Sequence, residues 1–202
     1  MAANESFDAL TDSLKLAVAT LRDREIDFLL GGSLAAWARG GPRPENDLDL
    51  MVKPEQAEAA LAALVEAGMR SERPPEEWLY KAYNGEVLID LIFHPAGLPL
   101  TDDVFARGEE MPVLSVATPV MALEDMLLTK LNALDEHSLD YTSLLGIARA
   151  LREQIEWPAL RARAEGSPYA KAFFTLVEEL GVAPSATPSA GAHDHVRVVP
   201  GV

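Results

Sequence analysis

The chain contains no cysteine, which excludes a disulfide framework, a thiolate metal site and a cysteine nucleophile, and agrees with a reducing compartment. It also lacks any run near the roughly 20 apolar residues that a membrane-spanning helix needs. Its first residues, Met-Ala-Ala-Asn-Glu-Ser, carry neither the basic start nor the apolar stretch of a secretory signal. These absences predict a cytoplasmic protein with no membrane partner. Basic residues are scarce, since 17 Lys and Arg stand against 32 Asp and Glu for a net charge of −15. Such a surface repels polyanions at long range and favours a cationic small molecule or a basic protein, although screening beyond about 8–10 Å lets a local basic patch act alone. The 202 residues, 49% hydrophobic and 24% charged, suffice for one moderate domain or two small ones that bury most of their apolar surface.

Apolar residues at near-helical spacing (Phe7, Leu10, Leu14, Leu16, Val18, Leu21) predict an amphipathic opening helix from about residue 5 to 24. Ile26 to Leu30 is a short apolar run that stops at Gly31-Gly32, and residues 33–39 have the composition of a short helix. The order is strand, glycine turn, helix N-terminus. A loop over 40–46 leads to a strand at 47–52, and Pro54 opens an alanine-rich helix over 55–67 that ends at Gly68. The β-prone runs 78–83 and 86–93 around Asn84-Gly85 predict a hairpin with a type I′ turn. From Thr118-Pro119, a cap residue followed by proline predicts helices near 119–134, 139–155, 158–165 and 168–180. Trp37, Trp78 and Trp157 read as core or contact residues. The block 181–202 is rich in Ala, Pro, Ser and Gly and is expected to be a flexible tail, in which His193 and His195 are solvated. The fold class predicted is a mixed α/β sheet with flanking helices over 1–115, a helical subdomain over 116–180 and the tail over 181–202.

Three acidic residues stand in segments that otherwise read as buried strands: Asp47 and Asp49 in Asn46-Asp-Leu-Asp-Leu-Met-Val52, and Asp90 in Val87-Leu-Ile-Asp-Leu-Ile-Phe93. Burying a carboxylate costs several kcal/mol unless a cation meets it. Strand alternation puts Asp47 and Asp49 on one face about 7 Å apart, a spacing that one or two hard divalent ions can bridge. Magnesium, or manganese in its place, suits carboxylates that also face a substrate's phosphates. Asp90, if it comes from a neighbouring strand, completes the set as a metal ligand or as the group that takes a proton from an attacking hydroxyl. The Gly31-Gly32-Ser33 turn brings backbone amides and a hydroxyl to a helix N-terminus, where an anion is favoured. A phosphate seat beside a metal seat describes a nucleoside triphosphate site. Lys130 projects from an apolar helical stripe made by Leu123, Met126, Leu127 and Leu134, which suits a cation facing that triphosphate. Arg43, between two prolines in the loop before Asp47, is a second candidate for phosphate, ahead of Arg39.

The combination Leu30-Gly31-Gly32-Ser33, Asp47-Leu48-Asp49-Leu50 and Ile89-Asp90-Leu91 resembles the nucleotidyltransferase superfamily of the DNA polymerase beta type. That resemblance implies two metal ions on Asp47 and Asp49, Asp90 as third ligand and base, and Gly32 and Ser33 holding the triphosphate. The implied reaction passes a nucleoside monophosphate to an acceptor with release of pyrophosphate. The segment Leu127-Leu-Thr-Lys-Leu-Asn-Ala-Leu134, followed by Glu136-His137-Ser138-Leu139-Asp140, is similar to AbiEii-type and MenT-type toxin nucleotidyltransferases, where a helical lysine and a later aspartate complete the site. Lys130 and Asp140 would fill those roles, although Asp140 also reads as a helix-start residue. The toxin resemblance implies an RNA end such as the tRNA acceptor stem as acceptor, with a cognate antitoxin as partner. Net charge points instead to a small cationic acceptor such as an aminoglycoside. A catalytically silent nucleotide-binding module is the third alternative.

Overall fold

The computed structural model describes residues 2–44 and 47–185, with side chains described from residue 7 onward. Its elements are α1 (Ala2–Asp23), β1 (Phe28–Leu30), α2 (Gly32–Ala38), β2 (Asp47–Val52), α3 (Ala57–Glu66), β3 (Arg70–Glu72), β4 (Leu79–Asn84), β5 (Val87–Ile92), α4 (Asp102–Ala106), β6 (Glu109–Val113), β7 (Val116–Val120), α5 (Leu123–Asn132), α6 (Tyr141–Leu151), α7 (Trp157–Arg163) and α8 (Pro168–Glu179). The strands form one mixed sheet in the order β3-β4-β5-β2-β1-β7-β6. Strand β2 runs parallel to β5 and β1 parallel to β7, while the remaining pairs are antiparallel. The predicted α/β class with a mixed sheet and flanking helices is the one observed.

Period-two alternation decides which side of the sheet is filled. Leu48, Leu50, Val52, Ile89 and Leu91 have no exposed surface and face α1 and α3. The same face carries Asn84, whose amide donates to Ser13 Oγ of α1 at 3.0 Å, and Tyr80, whose hydroxyl donates to Glu58 of α3 at 2.7 Å. Buried Ala57, Ala60 and Ala63 keep that side of α3 thin. Asp47, Asp49 and Asp90 therefore point to the opposite face.

The last four helices pack through Leu144, Ile147, Leu151, Leu160, Phe173, Phe174 and Val177, all buried. Inside this cluster Asp125 of α5 has no exposed surface, and it is met by Arg107 Nη2 at 2.9 Å and by Arg163 of α7. Two guanidinium groups supply the countercharge that a fully buried carboxylate requires.

Three expectations are corrected. Residues 116–120 are a strand, and the helix expected from 119 begins at Leu123. Thr118 is buried and its hydroxyl donates to Val116 O instead of capping, while Leu30 of β1 takes Val120 as its parallel partner. An otherwise unpaired side of a buried strand outweighs a local capping signal. The hairpin turn is Gly85-Glu86, because Asn84 pairs with Val87. Gly85 has φ of 60° at the first loop position, which matches a type II′ turn rather than type I′. Trp78 is 43% exposed and so lies outside the core. Residues 186–202, with His193 and His195, lie outside the described residues. At the start of the expected tail, the amides of Val182 and Ala183 donate to Val177 O, so this stretch closes α8.

Candidate active site

The carboxylates are placed by register. In the parallel pair β2–β5, Asp49 lies opposite Asp90 and Asp47 opposite Leu88, so Asp49 and Asp90 are lateral neighbours on adjacent strands about 4.8 Å apart. All three acidic groups are half-buried. Burial pushes the Asp47 carboxyl above the usual carboxylate range and the charge of Asp90 adds to this, while Lys130 and Lys81 pull the other way. Asp90 is also raised by burial, with Lys81 opposing. Asp47 Oδ1 and Asp90 Oδ1 are buried and have no hydrogen-bond partner among the described residues. Asp90 Oδ1 has the Lys81 ammonium 3.4 Å away, whereas the bare Asp47 Oδ1 is costly beside an apolar sheet, and an all-oxygen anionic donor set suits a hard divalent cation. Among the described residues no three Asp, Glu or His side chains are already gathered as a metal-ligand group.

The glycine turn sits directly on this face. Gly31 N donates to Asp49 O at 2.8 Å. Gly32 has φ of 62°, and a Cβ at that residue would stand 1.6 Å from Asp49 Oδ2. The carboxylate and the turn occupy adjoining volume that only glycine leaves open. Ser33 follows as the second residue of α2.

The remaining sequence candidates line the space beside the turn. Ser33, Arg43 and Asp140 share a cavity of about 360 Å³ with Thr142, Ser143 and Gly146. Lys130 and Asp140 share a second of about 150 Å³ with Ser138 and Ser143. Asp140 thus borders both, and it is also the N-cap of α6, accepting from Ser143 N at 3.1 Å. Arg39 is turned away from this space, toward Glu109 at 3.2 Å and Met121 O at 3.0 Å. Sequence reasoning missed Lys81, whose Nζ lies 3.4 Å from Asp90 Oδ1. A larger cavity of about 660 Å³ lies between α7 and α8, lined by Trp157, Arg161, Lys171 and Phe174, and none of the three cavities is lined by a residue of the carboxylate strands.

A carboxylate whose folded pKa lies above its unfolded value is held in its charged form at a cost, so the fold gains stability as pH falls through that raised pKa. The metal-free protein should therefore lose no melting temperature between pH 7 and mildly acidic pH on account of Asp47 and Asp90. Added Mg²⁺ should raise the melting temperature by about 2–4 °C at pH 7 and by less at pH 5. Thermal melts at the two pH values with and without Mg²⁺ measure this, and an equal Mg²⁺ effect at both would count against Asp47 as a ligand.

No described helix is long and apolar enough to cross a membrane. No curated protein sequence matches the chain. Among solved structures, the crystal structure of ANT(2″)-Ia in complex with adenylyl-2″-tobramycin matches with 18% identity and a TM-score of 0.60, covering 82% of this chain and 97% of that one. The solution structure of the antibiotic-resistance factor ANT(2″)-Ia matches with 16% identity and a TM-score of 0.57, covering 85% of this chain and 94% of that one. At these identities the likeness is one of fold. The family model described as "Uncharacterised nucleotidyltransferase" matches residues 9–181, a span that holds the glycine turn and all three carboxylates, and the chain therefore belongs to that nucleotidyltransferase family.

Proposed function

We propose that the protein transfers a nucleoside monophosphate from a nucleoside triphosphate to a hydroxyl of a small cationic acceptor, of the aminoglycoside kind. The observation that carries this reading is the meeting of Asp49 with the Gly31-Gly32 turn beside Asp90, in a chain of net charge −15. A polycationic acceptor is drawn to such a field. ANT(2″)-Ia, with an adenylylated tobramycin in its structure, gives this acceptor class a precedent on the same fold.

In this reading Asp47 and Asp49 hold the divalent ion, magnesium or manganese. When bound, that ion neutralises charge at the α-phosphate and on the leaving group. The backbone amides of Gly32 and Ser33, the Ser33 hydroxyl, Lys130 and Arg43 hold the β- and γ-phosphates, the Gly31 amide being bonded to Asp49 O. Asp90 takes the proton of the acceptor hydroxyl as its oxygen bonds to the α-phosphorus, and the bond to the bridging oxygen breaks so that pyrophosphate leaves with the electron pair. Such transfer depends on positioning and electrostatics more than on covalent chemistry by the protein.

One observation favours a second reading. Lys130 and Asp140 border the same cavity, the pairing that the toxin resemblance implies, and this supports an RNA end as acceptor with an antitoxin as partner. Incubating the protein with Mg²⁺ and each labelled nucleoside triphosphate, together with either an aminoglycoside panel or total RNA, separates the two. Label is expected on the aminoglycoside. Label confined to RNA would reverse the assignment, and nucleotide binding without any transfer would favour a silent module.

A further inference from the structure

Lys81 belongs to none of the sequence motifs, yet it stands directly opposite Asp90 across the β4–β5 ladder. Its Nζ lies 3.4 Å from Asp90 Oδ1, and the two side chains are 24% and 15% exposed. On its other side Asp90 has Asp49 as register partner. Asp90 is thus placed between a cation and a second carboxylate, and its buried Oδ1 is on the side of the cation. At 3.4 Å the contact is an ion pair without hydrogen-bond geometry, so it holds the carboxylate by charge. An ammonium there and a divalent ion shared with Asp49 would draw on the same carboxylate. The lysine is too enclosed to swing freely into water as an exposed lysine would.

We propose that Lys81 is a positioning residue that holds Asp90 out of the divalent-ion site and reserves it as the base for the acceptor hydroxyl, leaving Asp47 and Asp49 to hold the ion. This rests on the metal-dependent transfer proposed above and deepens it by dividing the labour among the three carboxylates. The proton of the acceptor hydroxyl passes to the oxygen of Asp90 that Lys81 does not hold. The same step forms the new oxygen–phosphorus bond and expels pyrophosphate.

The test uses Mn²⁺ alone as probe, titrated into the full chain without nucleotide and followed by the electron paramagnetic resonance signal of free Mn²⁺. Lys81→Met keeps the stem of the side chain and frees Asp90, so Mn²⁺ should bind about tenfold more tightly than in the wild type. Lys81→Arg keeps the cation and should stay within about twofold. In an Asp90→Asn background, the gain from Lys81→Met should shrink to about twofold, because the coupling runs through that carboxylate. An equal gain in both backgrounds, or none in either, overturns the role of Lys81 while leaving the metal site standing. A wild type that binds no Mn²⁺ at millimolar concentration overturns this inference, and if Mn²⁺ then also fails to support transfer from a nucleoside triphosphate, the metal-dependent reading beneath it falls too.

Discussion

Asp49→Asn should lower nucleotidyl transfer by about 10³-fold while nucleotide binding changes only a few-fold. The substitution is close to isosteric, so the contact with Gly32 and the backbone bond from Gly31 to Asp49 O survive. What is lost is one negative charge at the point where the glycine turn meets the strand. In the proposed reaction that charge holds the divalent ion, and a neutral amide would leave the developing charge on the leaving group without its counterion. Single-turnover transfer from a labelled triphosphate, with binding measured separately by calorimetry, distinguishes loss of chemistry from loss of affinity. Transfer within about tenfold of wild type would remove Asp49 from the proposed machinery.

Gly32→Ala is expected to destabilise the fold by about 2–3 kcal/mol, a fall of roughly 5–10 °C in melting temperature for a chain of this size. Two causes add. Alanine at φ of 62° is strained, costing about 1–2 kcal/mol, and its Cβ would enter the volume of Asp49 Oδ2 at 1.6 Å. Either the carboxylate or the turn must move, so transfer should fall as well. The double variant Gly32→Ala, Asp49→Ala discriminates between these causes. With the carboxylate gone, the melting loss should shrink to the backbone part, and a double variant as unstable as the sum of the singles would show that the two residues are not in contact.

The carboxylate strands were legible because apolar residues alternate with Asp in β2 and bracket Asp in β5, a pattern that fixes one face irrespective of what lies beyond it. Lys81 was not legible for a reason of register. A turn at Asn84-Gly85 would pair Tyr83 with Glu86 and Lys81 with Leu88, whereas the observed turn at Gly85-Glu86 pairs Lys81 with Asp90. A shift of one residue in the turn moves a lysine from a leucine to a carboxylate. The choice is made by tertiary contact, since Asn84 enters the ladder with its amide on buried Ser13. Strand β7 was hidden behind Thr118-Pro119, a pair that locally reads as a helix start, and the need of β1 for a second neighbour is not written in residues 116–120 themselves. Asp140 is the helix-start residue that the sequence offered, as the N-cap of α6, and it also borders the cavity that Lys130 lines.

The placement of β7 bears on how the molecule can move. Because this strand is hydrogen-bonded beside β1 and leads within a few residues into the helix that carries Lys130, that helix is fastened to the scaffold of the carboxylates by main chain rather than suspended from a linker. No linker longer than Met121-Ala122 separates that ladder from the start of the helix. If the proposed transfer holds, the lysine therefore reaches the carboxylate strands through a continuous stretch of ladder and helix, and the cavities bordered by Arg43 and Asp140 lie beside that stretch.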